Sequence, residues 1–188
     1  MRLFFAVQLG ADVITRVAAH IDALRAEASD GQLAWETPEK LHYTLKFLGD
    51  VDVDELHMEA LTHAAEVARD VAPFALAPGA LGAFPDEAAP RVLWLGVDEG
   101  AEAMSALATK LDVLLGGYGY AREARPYRPH LTLARATGKT GQRSLASLLG
   151  AVRPRIDFGL TRIDRFVLMQ SSDGTYRVRL TFVLGAPS

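Results

Sequence analysis

Two segments of this chain, Leu41-His42-Tyr43-Thr44-Leu45 and Pro129-His130-Leu131-Thr132-Leu133, carry the same pattern, His–apolar–Thr–Leu, one in each half of the 188 residues. Each alternates with period two, the signature of a strand, so His and Thr project to one face while Tyr or Leu projects to the other. A strand with one polar and one apolar face belongs in an antiparallel sheet covered on one side; strands buried on both faces, as in a doubly wound parallel sheet, read instead as continuous apolar runs.

The rest of the chain fits that frame. Residues 2–9 read as a buried strand, and a helix follows with Asp12 as its N-cap and Val13, Val17, Ile21 and Leu24 at helical spacing. After the first motif, Gly49-Asp50 marks a turn, and Leu56, Ala60, Ala64 and Val67 predict a second helix. Residues 74–84 are apolar but interrupted by Pro78-Gly79, residues 91–97 form a compact strand, and Met104, Leu107, Leu111 and Leu114 predict a helix that stops at Gly116-Gly117. A small helix is expected at 144–149. The end of the chain reads as a hairpin, Phe166–Gln170 against Tyr176–Leu184, around Ser172-Asp173-Gly174. The class is therefore α+β with mainly antiparallel sheet. Each motif follows a strand and a helix, which points to two related lobes about a pseudo-twofold axis.

At this length one domain spanning residues 1–188 is expected. The chain has no cysteine, which excludes a disulfide framework, a thiolate metal site and a cysteine nucleophile. Nothing approaches the ~18 apolar residues of a membrane span, and the first residues do not read as a signal peptide, so a cytoplasmic protein with no membrane partner is expected. The net charge of −3 hides an asymmetry: residues 1–94 hold 7 Lys+Arg against 15 Asp+Glu, residues 95–188 hold 13 against 8. Ten cations crowd between Arg122 and Arg165, which suggests either an anionic partner or a solvated face rich in arginine.

If the motif strands face one cleft, two imidazoles and two hydroxyls converge. Imidazole titrates near neutrality, so one histidine acts as base while the other, protonated, acts as acid. Threonine hydroxyls donate to non-bridging phosphate oxygens, where charge builds in the transition state. His42, Thr44, His130 and Thr132 thus make a set suited to cleaving a phosphodiester with water, needing neither metal nor covalent intermediate. His20, expected on the polar side of the first helix, and His57 and His63, six apart on the second, lack the spacing of a metal site. Trp35 and Tyr127 are candidates for stacking on a base at the rim, whereas Phe84 and Trp94 are better read as core.

The paired motifs, with Arg2-Leu3-Phe4-Phe5-Ala6-Val7, Phe47-Leu48-Gly49-Asp50, Arg91-Val92-Leu93-Trp94-Leu95-Gly96-Val97 and Arg125-Pro126-Tyr127-Arg128-Pro129, resemble the 2H phosphoesterase superfamily. Within it they look like the bacterial and archaeal RNA 2′,3′-cyclic phosphodiesterases, historically called 2′-5′ RNA ligases. The resemblance implies a bilobal fold with outer helices and a central cleft. It also implies hydrolysis of a 2′,3′-cyclic phosphate, on RNA ends or cyclic nucleotides, to a 2′-phosphate without metal or cofactor; a monomer is expected. It makes His42 the acid, His130 the base and Arg135 a phosphate contact. Two alternatives stay open: 2′-5′ ligation on the same residues, and a non-catalytic protein that binds RNA ends or nucleotides. Strict alternation sets Arg135 opposite His130, so it reaches a phosphate only if the strand ends, bulges or twists. By the same parity Arg128 is the fallback cation, and Lys46 shares a face with His42.

Overall fold

The computed structural model describes residues 2–28, 32–51, 58–151 and 154–185. In chain order they form β1 (Arg2–Gln8), α1 (Ala11–Glu27), β2 (Leu33–Trp35), a 3₁₀ turn (Pro38–Lys40), β3 (His42–Asp50), α2 (Met58–Arg69), β4 (Phe74–Phe84), β5 (Val92–Glu99), α3 (Ala101–Gly117), β6 (Leu131–Ala136), α4 (Lys139–Gly150), β7 (Thr161–Ile163), β8 (Arg165–Ser172) and β9 (Thr175–Val183). The strand order is β7-β4-β5-β6-β3-β1-β8-β9, with β2 added beside β6. The ladders between these strands are antiparallel, so the structure bears out the expected class and bilobal plan.

The internal repeat extends to whole elements. The unit β1-α1-β3-α2 is repeated as β5-α3-β6-α4, with helices of 17 and 12 residues in both copies. The two halves then exchange strands. β4 follows α2 of the first unit but pairs with β5 of the second; β8 follows α4 of the second but pairs with β1 of the first. The lobes β3-β1-β8-β9 and β6-β5-β4-β7 meet where β3 and β6 touch, at Tyr43 opposite Leu131.

One face of the sheet carries the main core. Leu3, Phe5, Val7, Tyr43, Leu45, Leu93, Leu95 and Leu131 pack there against the apolar stripes of the helices, such as Val17 and Leu24 of α1 and Leu107 and Leu111 of α3. The period-two alternation decides which residues these are, and each large side chain removed from water contributes about 1.5–3 kcal/mol. On the other face a smaller cluster, Phe4, Ala6, Val167 and Met169, floors the cleft.

Local details depart from the sequence reading. The N-cap of α1 is Gly10, and Asp12 lies in the first turn, where its charge still complements the helix dipole. Residues 74–84 form one strand despite Pro78-Gly79, because register shifts between Ala77 and Leu81 absorb the interruption. α4 begins at Lys139, earlier than expected, and Leu56 lies outside the described residues. The terminal hairpin turns at Asp173-Gly174 with φ of 50° and 73°, as a tight Asp-Gly turn requires. No described helix is long and apolar enough to cross a membrane.

Candidate active site

Both motif strands bulge at the same place. Along β1 and β3, Phe5 faces Lys46 and the next residue, Ala6, faces Thr44, so Leu45 is the extra residue. Along β5 and β6, Leu93 faces Ala134 and Trp94 faces Thr132, so Leu133 is the extra one. The leucine that ends each motif is thus the bulged residue, and past it the alternation of faces is inverted. Leu45 and Lys46 are consecutive buried residues, as are Leu133 and Ala134. The bulge brings Arg135 onto the face of His130 and Thr132, and its pseudo-symmetric counterpart Phe47 onto the face of His42 and Thr44; all six border one cleft of about 450 Å³.

Within that cleft the histidines are held alike. Nδ1 of His42 lies 2.6 Å from the carbonyl of Lys40, and Nδ1 of His130 lies 2.8 Å from the carbonyl of Arg128. A carbonyl only accepts, so Nδ1–H donates in both, and Nε2 of each ring is left for the cleft. Nε2 of His42 is 3.1 Å from the Thr44 hydroxyl, which donates to it when the ring is neutral. Aromatic rings bracket each imidazole: Phe4 and Tyr176 lie 5.0 and 5.2 Å from His42, Phe84 and Trp94 lie 4.8 and 6.4 Å from His130. The Trp94 ring packs against Gly82, where a Cβ would collide with it. Trp94 is buried and Phe84 half-buried, but, contrary to the expectation of a core role, neither belongs to the hydrophobic clusters; they wall in His130 instead.

Desolvation is the main force on both imidazoles and pushes each below the ordinary histidine value, against the opposing bond to the backbone carbonyl. His42 is lowered further by His130 and Arg135, and His130 by Arg135 and Arg128. The charge of His130 also acts on His42, so protonating one ring disfavours protonating the other.

Two expected cations lie elsewhere. Lys46, turned over by the bulge, is fully buried away from the cleft, where Nζ is 2.7 Å from Asp112 and also donates to the carbonyl of Ala121. Arg128 lies over the rings of Trp94 at 4.6 Å and Phe84 at 5.8 Å, behind the aromatic wall of His130, on which its charge still acts. The segment leading into the second motif is tied down by Lys46 and by Tyr127, whose hydroxyl donates to the carbonyl of Thr44 at 2.8 Å; Tyr127 is a clamp between the two motifs. Trp35 carries Arg25 over its ring at 5.7 Å.

The basic run does not form one uniform face, since Arg122 pairs with Asp112, Arg155 with Asp98 and Arg165 with Asp164. His20 is buried edge-on to Phe158, contrary to its expected polar setting, because α1 packs that side against the 154–160 segment. His63 pairs with Tyr118, and His57 lies outside the described residues. Among the described residues, no three His, Asp or Glu side chains group as a metal site.

Glu36 also borders the cleft, and the sequence reading missed it. It follows β2, whose pairing with β6 no period or turn signal in 33–35 announces. Phe47 was missed because strict alternation buries it.

The chain is similar to known proteins along most of its length. The model of the 2′-5′ RNA ligase superfamily matches residues 14–175. A protein of Methanothermobacter thermautotrophicus named RNA 2′,3′-cyclic phosphodiesterase is 34% identical over 172 residues, covering 91% of this chain and 90% of the relative. Another of that name from Aquifex aeolicus is 32% identical, covering 73% and 72%. Among solved structures, TT0787 of Thermus thermophilus superposes with a TM-score of 0.73 at 28% identity over the whole of both chains. LigT of E. coli complexed with 3′-AMP does so at 0.73 and 25% identity over 98% of each. With the motif pair converging in one cleft, and with relatives matched along most of their own length, this chain belongs to the 2′-5′ RNA ligase superfamily, the 2H phosphoesterases.

Proposed function

We propose that this chain hydrolyses the terminal 2′,3′-cyclic phosphate of RNA to a 2′-phosphate by acid–base catalysis between its two histidines. The observation that carries the reading is the pair of matched imidazoles, each with Nδ1 spent on a backbone carbonyl and Nε2 left for the same cleft. The name carried by the relatives supports the substrate. Nε2 of His130 takes a proton from water, the water oxygen bonds to phosphorus, the P–O3′ bond breaks, and His42 gives its proton to O3′. The pair ends with its proton moved from one ring to the other, and exchange with solvent resets it. The assignment of base to His130 is supported by its Nε2, which has no partner among the described residues, whereas that of His42 faces Thr44. Arg135 and the two threonines meet the charge on the non-bridging oxygens.

The pair supplies both proton transfers, so hydrolysis of RNA ended by a 2′,3′-cyclic phosphate is expected to persist in excess chelator and to leave the phosphate on O2′. Complete loss on chelation with rescue by one divalent ion, or joined RNA as the main product, would overturn the proposal.

The hydroxyls are tested separately. Thr44→Val and Thr132→Val keep the β-branched shape and remove one donor each. Each is expected to lower kcat by about 10²–10³ with little change in KM and a nearly unchanged melting temperature. A lowered melting temperature with normal turnover would instead assign the threonines to the fold.

A further inference from the structure

The cleft contains a negative charge that two-histidine hydrolysis does not call for. Glu36 is fixed to the second motif strand by its own backbone: its N–H donates to the carbonyl of the bulged Leu133 at 2.8 Å, and Ala34, two residues earlier, faces Arg135 across the β2–β6 ladder. Its side chain is 17% exposed, and Oε1 lies 3.7 Å from Nε of Arg135. The carboxylate holds the Nε side of the guanidinium, leaving the terminal nitrogens, which have no protein partner among the described residues, to reach a phosphate. It also offsets the charge of the cleft's most direct phosphate cation.

That offset acts unequally on substrate and product. A cyclic phosphodiester carries one negative charge. Ring opening consumes water, places a new oxygen on phosphorus and a proton on O3′, and yields a phosphomonoester whose second proton leaves near pH 6, so the product carries about two charges at neutral pH. An electrostatic cost proportional to ligand charge is twice as large for the dianion.

We propose that Glu36 is a positioning and specificity residue that weakens the binding of phosphomonoester dianions more than that of the cyclic monoanion, so that the enzyme releases its own product sooner and is held less by RNA ends that carry ordinary terminal phosphates. This rests on the hydrolytic reading above. The other charged or titratable groups facing the space are Arg2 from β1, Lys40 from the 3₁₀ turn, Tyr176 from β9, Arg135 and the two histidines. They act more strongly on the dianion than on the monoanion, but they are the same in Glu36→Gln and in the wild type, so the effect of the carboxylate is read as a variant-to-wild-type factor for each ligand at each pH.

The test is Glu36→Gln, which keeps the size and a hydrogen-bond acceptor and removes the charge. Binding of a nucleoside 2′-monophosphate and KM for the corresponding 2′,3′-cyclic phosphate are measured at pH 8 and pH 5. At pH 8 the variant is expected to bind the monophosphate about tenfold more tightly and the cyclic phosphate about threefold, the square root expected for half the charge. At pH 5, where both ligands are monoanions, the two factors should converge near three. Equal factors at pH 8, weaker binding of both ligands, or a product effect independent of pH would each overturn the proposal. Calorimetry with inorganic phosphate against dimethyl phosphate repeats the comparison without turnover. A protein that hydrolyses no cyclic phosphate, yet whose preference between these two ligands moves about threefold toward inorganic phosphate in Glu36→Gln, would remove the hydrolytic reading and leave the role of Glu36 standing.

Discussion

His130→Ala is expected to lower kcat/KM for a 2′,3′-cyclic phosphate by about 10²–10⁴, and His42→Ala by a similar factor. The double variant should lose far less than the product of the two, because both rings act in one step. The roles separate by leaving group. A substrate in which sulfur replaces O3′ needs little protonation to leave, so it should restore much of the rate of His42→Ala and none of that of His130→Ala; the opposite pattern would exchange acid and base. The pH dependence carries a sign as well. Both imidazoles are held below the ordinary value near 6.5, chiefly by desolvation, so the singly protonated pair of the free enzyme dominates on the acid side of that value. The bell for kcat/KM should therefore centre below it. The bell for kcat should move to higher pH, because a bound monoanion favours the imidazolium. A profile unchanged in either single variant would contradict the assignment.

The second large effect is on stability. Lys46 is fully buried, and its partner Asp112 is 13% exposed. Asp112→Asn leaves that ammonium with the Ala121 carbonyl and the more distant Glu123, 3.6 Å away and half exposed. The expected loss is about 3–5 kcal/mol, as for breaking a buried ion pair by one partner, and a fall in melting temperature on the order of 10 °C. Replacing both members by apolar residues, Lys46→Met with Asp112→Leu, should recover most of it. Burial acts to raise the Asp112 carboxyl, but hydrogen bonds from Lys46, Arg122 and the Glu123 backbone outweigh it and hold the group at about 2. A carboxyl depressed by folding contributes stability above its unfolded value near 4 and loses it as pH falls toward 2, so the variant should differ least from the wild type below pH 2. A loss under 1 kcal/mol at neutral pH in urea titrations would show that water already reaches Lys46.

The His and Thr of both motifs were legible because two short strands of one pattern obey period two as far as the threonine. Legibility fails at the next residue. A bulge inserts one residue without any mark that periodicity detects, and both Leu45 and Leu133 are ordinary strand residues. That one event explains why Lys46 reads as a cleft cation and is a core ion pair, why Arg135 reads as misdirected and borders the cleft, and why Phe47 reads as buried and is about half exposed. Helices with long apolar stripes, such as α3, were read nearly to their ends, since a stripe over several turns outweighs a local error at a cap. Glu36 was out of reach for another reason: its place is set by a three-residue strand whose only partner lies a hundred residues away.

The exchange of β8 into the lobe of β1 has a consequence for a chain that is made from one end. Arg2 through Ala6 pair with Ser171 through Val167, and the cluster beneath His42, Phe4 with Ala6, takes its other half, Val167 and Met169, from β8. Translation at about 5–20 residues per second separates the two strands by roughly 10–30 s. During that interval the nascent chain holds His42, Thr44 and their helices over an open edge of β1, an apolar strand ready to pair with any other in reach. Every growing copy on a polysome presents the same edge, and a message truncated before the codons for β8 releases a polypeptide that keeps it. The vulnerable stage for this protein is thus synthesis: chaperone demand and insoluble by-products should follow the speed of elongation through the second half of the message.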